Sequence, residues 1–363
     1  MSKTSDVIVV PDPVEASLDA RLESMYRRFT WRILSNYVTP WELEQLKGQI
    51  TDYEQWCAGW SAHAARHVAR GDEALAAGHT VTAGDAYLRG GLAYHWASFV
   101  FTHDQAQFRA ALEAMNATWA KAAPLQAPPM EILSAGFEGL SLPGYLRLPA
   151  GVQRPPLVLL LPGADSAKEE LYNLADHIVA RGMAVAAFDG PGQGIVSFES
   201  NLRPDQEVAV QAILDVLTAR ADVDGTRVAV GGISYGGMFA IRTAAVDDRV
   251  RAVFSVSSWY TPAGRFAAMD DLTRPGQYQH HGDDPATNMA AMTLAGVAGK
   301  VTVPLLQVYG GDDPGSPPSH AERIAAEYGG PVTTKVYPDG VHILNNVWNL
   351  ARPLIADWLA DQL

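Results

Sequence analysis

From residue 155 onward the chain alternates short, wholly apolar runs with amphipathic ones, and this alternation limits the fold more than any other feature. Strand-like segments at 156–161, 184–188, 227–231, 250–255, 304–309 and 333–337 are separated by helical segments at 165–181, 203–220, 238–245 and 318–328. A last helix runs through Trp348 and Trp358. Strands apolar along their whole length and joined by helices require a mostly parallel sheet covered on both faces. Residues 131–137 and 140–148 read as a hairpin ahead of that sheet. Between 259 and 301 the pattern lapses into an irregular excursion rich in Gly, Pro, Asp and His, of the kind that supplies active-site lids.

Residues 12–123 have a different texture, with apolar side chains recurring every three or four positions, as in Leu18, Leu22, Met25 and Phe29. Six of the nine tryptophans (Trp31, Trp41, Trp56, Trp60, Trp96, Trp119) fall here, so most are expected in the core of a helical bundle. A sharper alternative turns Tyr94, His95 or Trp96 toward a pocket for an aromatic ligand. The period changes across the proline-marked APLQAPPM at 123–130. The expected division is a helical cap over 1–125 and an α/β catalytic domain over 126–363.

Composition removes several classes. Forty Asp and Glu against 27 Lys and Arg give a net charge of −13, which repels nucleic-acid backbones and anionic lipid surfaces. The single Cys57 excludes an intramolecular disulfide and suits a reducing compartment. No apolar run approaches the roughly 18 residues of a membrane span, and the first 15 residues lack the pattern of a secretory signal. A cytoplasmic protein acting on a small molecule, without nucleic-acid or membrane partners, is therefore expected.

Gly232-Ile233-Ser234-Tyr235-Gly236 is a G-x-S-x-G. Alone it arises by chance in about one such chain in ten. Here it joins a strand directly to a helix, as a nucleophile elbow must. Ser234 then needs a base oriented by an acid, each after a later strand. The strand PLLQVYG is followed by GGDDP, which offers Asp312 and Asp313; the usual G-x-x-D spacing favours Asp313. The next strand exits into Val341-His342, which offers the base. Two backbone N–H groups should hold the oxyanion, one from Tyr235 and one from Ala164 or Gly163 in the loop after the first parallel strand. His320 reads as a surface residue early in a helix. The His280-His281 pair could face the pocket, with solvent the favoured place for both, and it lacks the flanking spacing of a metal site, so no metal and no cofactor are expected. The loop DGPGQG at 189–194 lacks the frame of a phosphate loop.

The segments LLLPGADS, FDGPGQG, GGISYGG, VYGGDD and DGVH occur in α/β-hydrolase order, and residues 155–363 resemble that superfamily throughout. With a helical region ahead of it, the chain looks like a narrower group. That group holds the 2,6-dihydroxypseudooxynicotine hydrolase, fungal polyketide-shortening hydrolases and fermentation–respiration-switch-like esterases. The resemblance implies a Ser234–Asp313–His342 triad, a helical domain that covers the pocket, and a homodimer. It also implies cleavage of a C–C bond in a β-dicarbonyl-like ketone, or of an ester, on an aromatic or polyketide-like substrate. Some members use an extra acid near the substrate, for which Asp270 or Asp271 is the nearest candidate. Trp259 and Tyr260, at the start of the excursion, join Tyr94 and Trp96 as candidate substrate contacts. A thioesterase or acyltransferase is the competing enzymatic reading. A non-catalytic ligand-binding protein on the same fold is the competing one from another class. A propeller-bearing peptidase is excluded, since about 120 helical residues cannot build four blades of roughly 40 residues each.

Overall fold

The computed structural model describes residues 18–363. The helical reading of 12–17 and the reading of the first 15 residues as lacking a signal lie outside the described residues. Eight strands form one sheet: β1 (Met130–Phe137), β2 (Leu140–Arg147), β3 (Pro156–Leu161), β4 (Ala184–Phe188), β5 (Asp224–Ile233), β6 (Val250–Val256), β7 (Leu305–Gly310) and β8 (Val332–Tyr337). Their order across the sheet is β1-β2-β4-β3-β5-β6-β7-β8. The β1–β2 and β2–β4 pairs are antiparallel and the rest are parallel. β3 shows why the sheet needs two covers. Leu157, Leu159 and Leu161 enter one hydrophobic cluster, whereas Val158 and Leu160 enter the other on the opposite face. Together with the helices that join the strands, this is an α/β-hydrolase fold with an N-terminal helical region.

That region comprises α1 (Leu18–Leu34), α2 (Pro40–Gln49), α3 (Trp56–Ala76), α4 (Thr80–Ser98) and α5 (Gln105–Ala122). Helix α2 starts with a capping box, in which the Thr39 side chain accepts from the Glu42 amide and Glu42 reaches back to the Thr39 amide. Trp56, Trp60, Trp96 and Trp119 are buried, but Trp31 and Trp41 are 52% and 70% exposed. Trp31 lies half a turn around α1 from the buried Leu22, Met25 and Ile33, so it faces solvent. The helical region does not fold on a core of its own alone. Tyr87, Leu88 and Leu92 of α4 and Trp119 of α5 share one cluster with Tyr145, Val158 and Leu160 of the sheet.

About half of the segment expected to be irregular is helical. It carries short helices at Arg265–Ala268, Arg274–His281 and Pro285–Ala291, and a 3-10 turn at Ala298–Lys300. Pro275 and Pro285 stand in the first turns of two of these helices, where a missing N–H costs nothing, so proline marked helix starts rather than loop. No helix among the described residues is long and apolar enough to cross a membrane.

Candidate active site

Ser234 joins β5 to the helix Tyr235–Ala244 with φ 53° and ψ −118°, a conformation that a non-glycine residue adopts only under constraint. The constraint is close packing. A Cβ on Gly232 or Gly236 would lie 2.2 or 2.1 Å from the Leu161 carbonyl, so only glycine lets the elbow press against the end of β3. Ser234 Oγ accepts a hydrogen bond from Trp259 Nε1 at 3.2 Å.

Asp313 follows β7 and is 2% exposed. Its Oδ1 accepts from the amides of Gly315 (3.0 Å) and Ser316 (2.9 Å), and its Oδ2 accepts from His342 Nδ1 at 2.7 Å. Burial pushes this carboxyl upward, but the His342 ring and these hydrogen bonds outweigh it and hold Asp313 below the ordinary carboxylate range. Asp312 instead uses its amide to bond the Gly340 carbonyl. His342 lies after β8 and keeps 34% of its side chain exposed. The Ile343 amide donates to Ser257 Oγ at 3.0 Å, which ties the histidine loop to the end of β6. Among the described residues no hydrogen bond joins His342 to Ser234. The structure thus brings His342 onto Asp313 and Trp259 onto Ser234.

The loop Pro162-Gly163-Ala164 lies against the elbow, with the Gly163 Cβ position 3.5 Å from Ser234 Cβ. Tyr235 opens its helix, so its N–H has no acceptor one turn back. Gln193, in the DGPGQG loop set aside as a failed phosphate site, braces this loop. Its Nε2 donates to the carbonyls of Pro162 (2.7 Å) and Gly163 (3.0 Å). The sequence signal for it is a polar residue in a glycine-rich loop leaving β4, the neighbour of β3.

The candidate substrate contacts divide. Trp259 reaches Ser234, and the Arg265 guanidinium stacks over its ring at 4.5 Å. Tyr260 is turned away: its hydroxyl donates to Glu327 at 2.7 Å and Arg323 covers its ring. Trp96 sits in the core of the helical region, and Tyr94 packs between two hydrophobic clusters. Their neighbour His95 instead lines a pocket between the helical region and the loops after β3 and β4. Phe99, Phe108, Asp165, Gln277 and His280 also line it, whereas Ser234 does not. Helical periodicity explains the exchange, since adjacent residues on α4 face directions about 100° apart.

Of the other histidines, His280 takes the alternative of facing the pocket rather than solvent. His280 and His281 are buried, with Nδ1 atoms 2.9 Å from the Gly192 carbonyl and 2.7 Å from Asn288 Oδ1. His320 is half-buried, its Nδ1 accepting the Tyr260 amide and its ring 5.2 Å from that of Trp259. Asp270 is held by Arg28 of α1 at 2.5 Å, and Asp271 faces Arg274 at 3.7 Å; neither lines the cavity.

A parallel sheet with a strained serine elbow and an acid–histidine pair after its last two strands defines a hydrolase of the α/β type. The profile of the FrsA-like esterase family matches residues 52–363, and the chain belongs to that family. It is 30% identical over 324 residues to the 2,6-dihydropseudooxynicotine hydrolase of Paenarthrobacter nicotinovorans, covering 85% of this chain and 84% of that one. The crystal structure of a 2,6-dihydroxy-pseudo-oxynicotine hydrolase superposes with a TM-score of 0.83 at 26% identity, over 92% of this chain and 95% of that one. The hydrolyase poxO of Penicillium oxalicum is 40% identical over 231 residues, a match that spans 59% of this chain and 54% of poxO.

Proposed function

We propose that this enzyme cleaves a bond next to a carbonyl, C–C in a β-dicarbonyl-like ketone or C–O in an ester, on an aromatic or polyketide-like substrate, through an acyl-Ser234 intermediate. The observation that carries this reading is Ser234 at φ 53° on the strand–helix turn. Strain of that kind persists where the surroundings over-determine it for chemistry. Ser234 Oγ attacks the carbonyl carbon and its proton passes to His342. Asp313, accepting from Nδ1, holds the ring in the tautomer whose other nitrogen is a base. The N–H groups of Ala164 and Tyr235 stabilise the oxyanion, with Gly163 giving the Ala164 loop its turn. Collapse expels an enolate or alkoxide that takes the proton from His342, and water, deprotonated by the same ring, releases the acid.

Trp259 has two parts in this scheme. Its N–H holds the resting nucleophile and must let go as Oγ attacks, while its indole with Arg265 forms one wall for the substrate. The helical region, with His95, Phe99 and Phe108 on the cavity between the two halves, acts as the cover. The relative named as a pseudooxynicotine hydrolase supports an aryl ketone over a simple acyl ester. A fluorophosphonate probe should add its mass to the Ser234 peptide of the wild type, and labelling that persists in Ser234→Ala ends the assignment. Side-by-side assays of aryl β-diketones and p-nitrophenyl acyl esters separate the two bonds. Brisk ester turnover without diketone cleavage removes the C–C reading.

A further inference from the structure

We propose that Glu42, His63 and His67 form a binding site for one divalent transition-metal ion of the zinc class, which pins α2 to α3. His63 and His67 stand one turn apart on α3, and Glu42 reaches them from the first turn of α2. Their ligand atoms converge. His63 Nε2 and His67 Nε2 are 3.2 Å apart, and Glu42 Oε1 is 3.1 Å from the latter and 3.9 Å from the former. Ligands bound tetrahedrally at about 2.1 Å sit roughly 3.4 Å from one another, so these separations bracket what one ion needs. The second oxygen of Glu42 is already held by the Thr39 amide and hydroxyl, both at 2.8 Å, which aims the first at the histidines. The side chains are 10–15% exposed, enough for an ion to enter and for water to take a fourth position.

Hydrogen bonding alone leaves this cluster unsatisfied. Arg66 Nη2 lies 3.1 Å from His63 Nδ1 and can only donate, so a neutral His63 carries its proton on Nε2. That proton goes to His67 Nε2, which must then present a lone pair. The same lone pair faces Glu42 Oε1, another acceptor, at 3.1 Å. Moving the proton to His67 satisfies Glu42 and leaves His63 with Nδ1–H against the Arg66 donor. No placement of protons on two neutral rings serves all three contacts. A cation at the centre takes all three lone pairs at once; His63 then carries its proton on Nδ1, and the exposed Arg66 swings into solvent. The sequence carries half of the signal, H-x-x-x-H on a helix, but the third ligand is on another helix.

The test is a Co2+ titration of tag-free, chelator-treated full-length protein, followed by the visible bands of four-coordinate cobalt. The bands should saturate at one equivalent, be bleached by Zn2+, and vanish in His63→Ala and His67→Ala. Glu42→Gln, which keeps a capping oxygen for Thr39, should weaken binding at least ~10-fold, and Arg66→Ala should tighten it. Zn2+ should raise the thermal midpoint of the wild type and leave that of His67→Ala unmoved, with fluorophosphonate labelling of Ser234 as the check that each variant is folded. A wild type without the one-equivalent bands overturns the site. So do bands unchanged in Glu42→Gln or His67→Ala.

Discussion

Buried charge serves two different purposes in the two places where this chain concentrates it. In the loops after β7 and β8, Asp313 is surrounded by donors from its own loop and by His342, which remains one-third exposed. At the seam between the helical region and the sheet, Arg32 of α1 grips Glu170 in a two-pronged pair of 2.5 and 2.7 Å, with side chains 8% and 3% exposed. Ser166 also donates to Glu170, and His95 lies 3.5 Å from it. The first arrangement combines donors from Asp313's own loop with a histidine 29 positions on, and leaves one face of that histidine open. The second joins residues 138 positions apart and keeps both charged side chains almost wholly out of solvent. In the proposed function the first serves chemistry and the second assembly, so damage to each should be read by a different measurement.

The largest effect should come from the site. Ser234→Ala is expected to lower kcat by at least ~10⁴-fold, the scale on which loss of a nucleophile acts. The melting temperature should hold or rise as backbone strain is kept but a polar group is lost. Steady-state turnover and a thermal melt on the same preparation check both halves of the statement. A variant that loses activity only because it unfolds would erase the distinction between site and seam.

The seam comes next. Arg32→Ala leaves Glu170 buried and charged without its partner, which is expected to cost about 3–5 kcal/mol. Urea denaturation measures it. Arg32→Met with Glu170→Gln removes both charges while keeping a group for Ser166, and should recover more than half of the loss. Because α4 and α5 share a core with β2 and β3, the loss should appear as one transition of the whole chain. Two separate transitions would make the helical region an independent cap.

The same contrast explains what could be read from the sequence. The positions of Ser234, Asp313 and His342 just past the carboxyl ends of strands were legible, because that rule needs only strand order. Gln193 bracing the Pro162 and Gly163 carbonyls, Trp259 Nε1 on Ser234 and Arg32 on Glu170 were not, because each depends on a distance that chain spacing leaves open. Among the tryptophans, composition could not separate the buried Trp56 and Trp119 from the exposed Trp31 and Trp41. For Trp31 the period of Leu22, Met25 and Phe29 held the answer. The excursion was misjudged since its helices are four to eight residues long, too short for an apolar stripe to show.

A smaller change tests how the site rests. In the proposed mechanism the bond from Trp259 Nε1 to Ser234 Oγ stabilises the nucleophile before attack and must break during it. Trp259→Phe keeps a ring for Arg265 and removes the donor. The loss of a ground-state bond worth about 1 kcal/mol should speed fluorophosphonate labelling of Ser234 roughly 5-fold. Labelling slowed instead would make the indole N–H an orienting group.

The most gradual effect is a slope. Burial lowers both His280 and His281, the latter to about 4, so each stays neutral in the folded chain where an unfolded histidine would protonate near 6.5. Stability from such groups is complete above about pH 6.5 and is lost as the pH falls toward 4, because the unfolded chain binds the extra protons. Glu170 behaves oppositely in timing: burial pushes it upward, but Arg32 and the His95 ring hold it well below the usual carboxylate range. The seam therefore keeps its charge pair through the interval in which the excursion weakens. The His281 ring lies 5.5 Å from that of Tyr235, so loosening there reaches the elbow first. Between pH 6.5 and 4, amide exchange should accelerate in the helix Arg274–His281 before it does in α1. His281→Gln should flatten the stability slope by at most about 1.4 kcal/mol per pH unit, the limit for one proton, and His63, lowered for the same reason, should account for part of what remains. Exchange that accelerates first in α1 would place the acid-sensitive joint at the seam instead.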